Sequence, residues 1–300
     1  MANERQTFYV HFPELSIPAP LSVLGGTLRE VGFEEYAPLD NDWASERYYR
    51  AHQRVFWVVD TMGRSDLADF RVAVESGDLD RVRHWYREQE DYPDELLDSV
   101  TERAELLHLA IVCASAELLV SPSLSMLYRT PASGGVSRRV GLAHRTWVLA
   151  LQDSIRISAE SLAAAAEMVS RWVAAGLESD HVLLGPLRTV SSVAGGALSA
   201  GAIVTLLVVA LESSLNFGGT DGKRARPIAA DIRERMIAAG SADIGSRMKP
   251  LYAHRSDFLH GRREPLPLEA DIVLLVSLLT ASVASRTLAL QQPEGEGLGA

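Results

Sequence analysis

The sequence predicts a mainly α-helical protein, with a C-terminal helical domain over residues 136–292 behind an N-terminal region, 1–135, that mixes helix with strand. Three observations carry that prediction. Beyond residue 140, apolar side chains return at three- and four-residue intervals over long stretches, the period of a helix with one buried face. The stretch Pro122–Gly135 (PSLSMLYRTPASGG) is rich in Pro, Gly and Ser and reads as a domain boundary or as a long surface loop inside a single domain. The segments densest in β-branched and aromatic residues, Phe8–Phe12 and Arg54–Asp60 (RVFWVVD), both precede that stretch.

Residues 1–40 alternate Pro, Gly and short apolar groups and read as loops with a strand at Phe8–Phe12. Arg54–Asp60 suits a buried strand, and suits equally the end of a helix begun at Trp43. Trp43, Tyr48, Tyr49, Phe56 and Trp57 are read as core rather than as a base-stacking strip. Short helical segments follow over 66–90, with Ser76–Gly77–Asp78 as a turn or cap. Val100, Ala104, Leu107, Ile111 and Ala114 place a helix over Ser99–Leu119.

In the second part, helices are predicted near 141–154, 156–175, 180–195, 201–217, 228–239, 242–260 and 267–290. Ala163–Ala166 supplies strong helix formers. Gly218–Gly219 stops one helix, and Pro227 fits the first turn of the next, where a missing amide hydrogen costs nothing. Ser241 is a candidate cap before Asp243, and Pro250 is expected to bend or restart its helix. Residues 293–300 form a polar, Gly-rich tail, expected to be disordered.

Composition narrows the function classes. With 47% hydrophobic residues the chain can bury a core. One cysteine, Cys113, excludes an intramolecular disulfide and a cysteine zinc cluster, so a reducing cytoplasm is the expected location. The opening MANERQTFYVHF has no apolar run and does not read as a signal peptide. Thr189–Leu211 lacks charge, but Gly195–Gly201 splits it into a buried helix hairpin rather than a membrane span. The net charge of −10 argues against broad nucleic-acid coating. Residues 221–263 nevertheless carry ten basic and five acidic side chains, a local excess that suits a small RNA contact or docking onto acidic surface. There is no Gly-rich phosphate loop or HExxH motif, and neither a metal nor a cofactor is expected.

The chemistry concentrates in Leu251–Gly261, LYAHRSDFLHG. Gly261 can take the left-handed conformation that ends a helix. His260 then sits in the last turn, where the helix dipole favours its protonated form, and an imidazole changes charge near neutral pH. Arg255, always charged, is suited to a phosphate or its transition state. Arg255 and His260 lie about 140° apart around an ideal helix, whereas Ser256 and His260 share a face. Arg-x4-His alone says little, since Arg47/His52, Arg103/His108 and Arg139/His144 repeat it. Only the fourth instance is flanked by Tyr252, Ser256–Asp257, Phe258–Leu259, a glycine stop and Arg262–Arg263.

That stretch resembles the signature of the HEPN superfamily, and LYAHRSDFLHG is similar to the form in its Apea-like branch, associated with anti-phage and abortive-infection proteins. LVVALESSLNFGG at 207–219 resembles that branch's helix ending in a leucine–glutamate pair, and RPIAADIRERMIAAG at 226–240 the helix after it. The resemblance extends over about residues 140–290 and leaves 1–135 unmatched. It implies a HEPN-like bundle that dimerises, or forms a higher homo-oligomer, and cleaves single-stranded RNA without metal by 2′-hydroxyl attack. Arg255 matches the motif arginine, His260 the motif histidine, and Ser256 the polar position that more often holds asparagine. The alternative is a non-catalytic HEPN-like binding or oligomerisation module.

With RNA as substrate, Arg255 is expected to stabilise the phosphate, His260 to move a proton, and Ser256 to position one of them. Tyr252, His254, Arg262 and Arg263 are candidate RNA contacts, Tyr252 as a stacking wall. Glu212 is a candidate partner for Arg255, with Asp257 and Gly261 in structural roles. The N-terminal region is expected to sense a trigger, bind a regulatory protein or restrain the nuclease.

Overall fold

In a computed structural model, the described residues are 3–13, 15–32, 35, 55–64, 76–81, 95–119, 121–129, 136–139, 155–177, 181–194, 198–215, 244–261 and 269–289. The protein is mainly helical, with strands confined to its N-terminal portion. The chain forms two compact units, one from Met1–Leu106 with Pro122–Ile157, the other from Leu107–Ser121 with Ser158–Ala300.

The first unit holds a six-stranded antiparallel sheet. Its strands are β1 (Asn3–Phe12), β3 (Leu21–Val23), β4 (Gly26–Glu30), β5 (Val55–Arg64), β6 (Ser123–Arg129) and β7 (Val136–Arg139), in the order β3-β4-β5-β1-β6-β7. A separate parallel pair joins β2 (Leu15–Ser16) to β8 (Ile155–Arg156). Val55–Asp60 is therefore strand, not helix: in register with β1, it sends Phe56 and Trp57 to opposite faces, and both are buried. Residues 1–40 hold more strand than their Pro and Gly content predicts, because Leu24–Gly25 turns β3 tightly back into β4.

At Gly26 the backbone passes so close to Trp57 that a Cβ would lie 2.6 Å from the indole nitrogen. That nitrogen donates to the Val23 carbonyl at 3.0 Å. One face of the sheet buries Phe8, Val10 and Phe12 against Val59, Trp57 and Val55. The opposite face buries Thr7 and Tyr9, whose polar tips are satisfied: Thr7 Oγ1 donates to Asp60 at 2.6 Å, and the Tyr9 hydroxyl to Glu35 at 2.9 Å. Arg29 grips the same Glu35 carboxylate with both terminal nitrogens, one of them at 3.0 Å, and this hydrogen bonding raises its pKa further.

The Pro/Gly/Ser-rich stretch 122–135 contains β6, and β7 pairs with β6. The units accordingly divide at 157/158, whereas the sequence suggested 135/136; a glycine- and proline-rich composition marks the loss of helix, and a strand loses it too. The other two divisions fall within α1 (Glu95–Ser115), which ends at Ala116, φ 57°, and at 121/122, just before β6.

The second unit contains α2 (Ala159–Ala174), α3 (His181–Ala194), α4 (Ala200–Leu215), α5 (Ile244–Leu259) and α6 (Glu269–Ala289). Each lies within a few residues of its predicted position. The predicted helices at 141–154 and 228–239, with Gly218–Gly219, Pro227, Ser241 and Asp243, fall outside the described residues, as do Trp43, Tyr48, Tyr49 and 293–300. Ser158 caps α2 by accepting from the Ser161 amide, and Ser199 does the same for α4 through Ala202. The uncharged run 189–211 is shared between α3 and α4, so it forms no single span. Among the described residues, α6 is the helix long and apolar enough to cross a membrane, and 44% of its most apolar window is buried.

The apolar α4 packs against α3, α5 and α6. Residues 107–115 of α1 join this core. His108, fully buried, meets the Leu119 carbonyl through Nε2 and the Ser191 hydroxyl of α3 through Nδ1. A carbonyl only accepts, so Nε2 carries the proton and Nδ1 accepts from Ser191. The Cys113 thiol donates to the Thr280 carbonyl of α6, and burial pushes its pKa up to about 12, which leaves it unreactive. Trp172 of α2 donates to the Thr287 hydroxyl at 2.8 Å.

Candidate functional site

The predicted motif lies on α5, which continues unbroken through the exposed Pro250. Near its start, Arg247 forms an ion pair with the buried Asp271 of α6. Leu251 is buried, and His254, one turn on, shares its face. That spacing overturns the expectation that His254 contacts RNA: its side chain is 4% exposed and directed into the unit. Neither of its ring nitrogens has a hydrogen-bond partner.

Arg255 follows, and α4 supplies its counter-charge. Its Nη2 lies 3.6 Å from Glu212 Oε2, an ion pair too long for a hydrogen bond. The Arg255 side chain is 30% exposed and that of Glu212 15%. The apolar residues of α4 hold Glu212 at the helix edge, as its sequence position implied. Burial raises the Glu212 pKa, and the Arg255 charge opposes the rise. Beneath the guanidinium lies the Tyr252 ring, its centroid 5.9 Å from Cζ, at the limit of a cation–π contact. Arg255 Nε is buried and unpartnered, and so is the Tyr252 hydroxyl.

The guanidinium therefore has a seat between Glu212 and Tyr252 but, among the described residues, donates no hydrogen bond. The ring of Tyr252, a candidate wall for a nucleobase, lies under Arg255.

His260 ends the helix. Its amide donates to the Ser256 carbonyl, and the Gly261 amide to Phe258, at 3.1 Å each. Gly261 has φ +64°, a conformation an L side chain adopts only at a cost. His260 is exposed, with Leu259 beside it 57% exposed. Ser256 and Asp257 are half-buried, and Asp257 has polar company of its own. Arg262 and Arg263 lie outside the described residues.

Five residues along one helix separate Arg255 and His260 by about 140°, so a single copy presents them in different directions. The arginine leans on α4 and the histidine projects from the helix end. Among the described residues, no group of three His, Cys, Asp or Glu side chains is placed to hold a metal ion. Among the described residues of the first unit, sequence reasoning missed the Arg29–Glu35–Tyr9 cluster, which is bonded internally. Set against known proteins, the chain matches no family model, no curated protein and no solved structure.

Proposed function

We propose that the second unit is a HEPN-like, metal-independent endoribonuclease that cleaves single-stranded RNA and acts in anti-phage or stress defence in the cytoplasm. The observation that carries this reading is Arg255: a seated guanidinium that makes no hydrogen bond to the described residues, on the helix at whose end His260 is exposed. A planar fork of free donors matches a phosphate diester. In the reaction, the ribose 2′-oxygen attacks the adjacent phosphorus and gives its proton to a neutral imidazole. The P–O5′ bond breaks, and an imidazolium supplies the proton to the departing 5′-oxygen, leaving a 2′,3′-cyclic phosphate. Arg255 offsets the charge that builds on the phosphorane oxygens.

One copy has a single His260, pointing away from Arg255, so base and acid come from the His260 residues of two copies of the chain. Ser256, on the His260 face, orients the imidazole or the phosphate. The basic stretch that ends in Arg262–Arg263 adds phosphate contacts. A second reading, a non-catalytic HEPN-like binding or oligomerisation module, is favoured by one fact: Arg255 already has a carboxylate beside it.

Cleavage of mixed single-stranded and transfer RNA in excess EDTA separates the two. The nuclease reading expects cyclic-phosphate products from the wild-type protein and none from His260→Ala or Arg255→Ala. Activity that survives both substitutions defeats the site assignment.

A further inference from the structure

Most arginines that bind phosphate are themselves aimed by other groups, and Arg255 has two such groups within reach. One is an aromatic face at 5.9 Å, one helical turn back on its own helix. The other is a carboxylate at 3.6 Å on a neighbouring helix. A long, unbranched side chain with four rotatable bonds has no reason to hold one orientation unless something restricts it. Here the ring restricts it from below and the carboxylate from the side, and neither takes its hydrogen bonds. Nε faces inward, buried and unpartnered, so the seat fixes the head by charge and shape alone.

We infer that Tyr252 and Glu212 are positioning residues that clamp the Arg255 guanidinium for the scissile phosphate, Tyr252 through its ring face and not its hydroxyl. The inference rests on the ribonuclease reading of this site. It reassigns Tyr252 from nucleobase contact to arginine platform. It also gives the phenol oxygen no role, which agrees with that atom being buried without a partner. Glu212 acts as the electrostatic side wall, and its ion pair is too long to occupy a donor that the phosphate needs.

The clamp makes predictions that a merely structural role does not. In the full-length protein, Tyr252→Phe keeps the ring and is expected to keep kcat within about twofold of wild type, at an equal or higher Tm. Tyr252→Leu and Glu212→Gln are expected to lower kcat about 10- to 100-fold, because a transition-state contact is misplaced rather than removed. Their affinity for an uncleavable 2′-O-methyl oligoribonucleotide, read by fluorescence anisotropy, should stay within about threefold of wild type. In an Arg255→Lys background the Tyr252→Leu effect should largely vanish, since the planar fork is already gone.

Two results overturn the clamp: Tyr252→Phe as damaging as Tyr252→Leu, which would make the hydroxyl the working group, or equal Tyr252→Leu losses in both backgrounds. If the wild-type protein cleaves nothing, the ribonuclease reading fails by itself. Thermal-unfolding double-mutant cycles for the 252/255 and 212/255 pairs then decide the clamp separately. Coupling in both keeps it as the seat of an anion site, and absence of coupling ends it.

Discussion

Each unit contains a tyrosine, an arginine and a glutamate brought together, and the two trios differ in one respect. In the sheet unit, Tyr9 and Arg29 both donate to Glu35, and both carboxylate oxygens accept hydrogen bonds. In the helical unit, Arg255 stands off Glu212 by 3.6 Å and lies over Tyr252, with no hydrogen bond among the three. Burying a polar atom without a partner costs about 1–3 kcal/mol, so the first trio lowers the energy of the fold and the second raises it. A protein keeps such unpaired groups where something else is to complete them. The difference teaches that the same three residue types act as a fastener in one setting and as an open receptor in the other.

The largest effect expected from this contrast is on activity. Arg255→Ala should reduce RNA cleavage by about 100-fold or more while changing Tm little. Arg29→Ala should do the reverse, losing about 1–3 kcal/mol in urea unfolding, less what solvent screening removes from a pair nearly one-third exposed, with activity per folded molecule intact. If Arg29→Ala abolishes cleavage in protein that remains folded, the sheet trio is not a fastener.

Next come the two tyrosines. Tyr9→Phe removes one of the two hydrogen bonds to Glu35 Oε1 and is expected to cost about 1 kcal/mol, whereas Tyr252→Phe should be neutral or stabilising. Equal losses in urea unfolding would remove the distinction between the trios.

His254→Leu tests the same point on a residue outside either trio. It replaces an unpartnered buried imidazole with an apolar group of similar size and should stabilise by about 1 kcal/mol without loss of cleavage. Lost cleavage at unchanged stability would return His254 to the chemistry.

The smallest effect is the pH dependence carried by Glu212. Burial raises its folded-state pKa despite the opposing Arg255 charge. The folded protein therefore binds a proton before the unfolded chain does as pH falls. From this group alone, stability is highest below its unfolded pKa and declines as pH rises through the folded value. Subtracting the Glu212→Gln unfolding profile from that of wild type should leave a difference that falls with rising pH through the acidic range. A difference that rises instead would mean that the Arg255 pairing outweighs burial.

Much of this was legible in the sequence, for reasons that can be named. Helices α2 to α6 announced themselves because local spacing fixes which face is buried, and Glu212, a charge after an apolar run, could be singled out as one candidate partner for Arg255, with Asp257 the other. The Phe8–Phe12 strand was readable from its aromatic and β-branched residues, though β1 is longer. The β3–β4 hairpin and β6 were not, because strand pairing is settled by partners distant in sequence and their own composition reads as loop. Arg29–Glu35–Tyr9 was invisible for the same reason: Tyr9 and Glu35 are 26 residues apart and meet only through the sheet. His254 was misread by treating the motif as a surface strip, when Leu251 three residues earlier marks the inward face. That the buried Arg255 Nε is left without a partner has no sequence signature at all.

The division of the chain has a consequence for anyone wishing to study one unit alone. Leu107–Ser121 belongs with Ser158–Ala300, yet the return through Pro122–Ile157 separates them. A fragment that starts after residue 135 lacks His108 and Cys113, so Ser191 loses its acceptor and the Thr280 carbonyl its thiol. These links join residues 83 and 167 positions apart, so on the ribosome the helical unit cannot close until Thr280 has emerged. On the ribonuclease reading proposed above, activity would be withheld from RNA until α6 has been made.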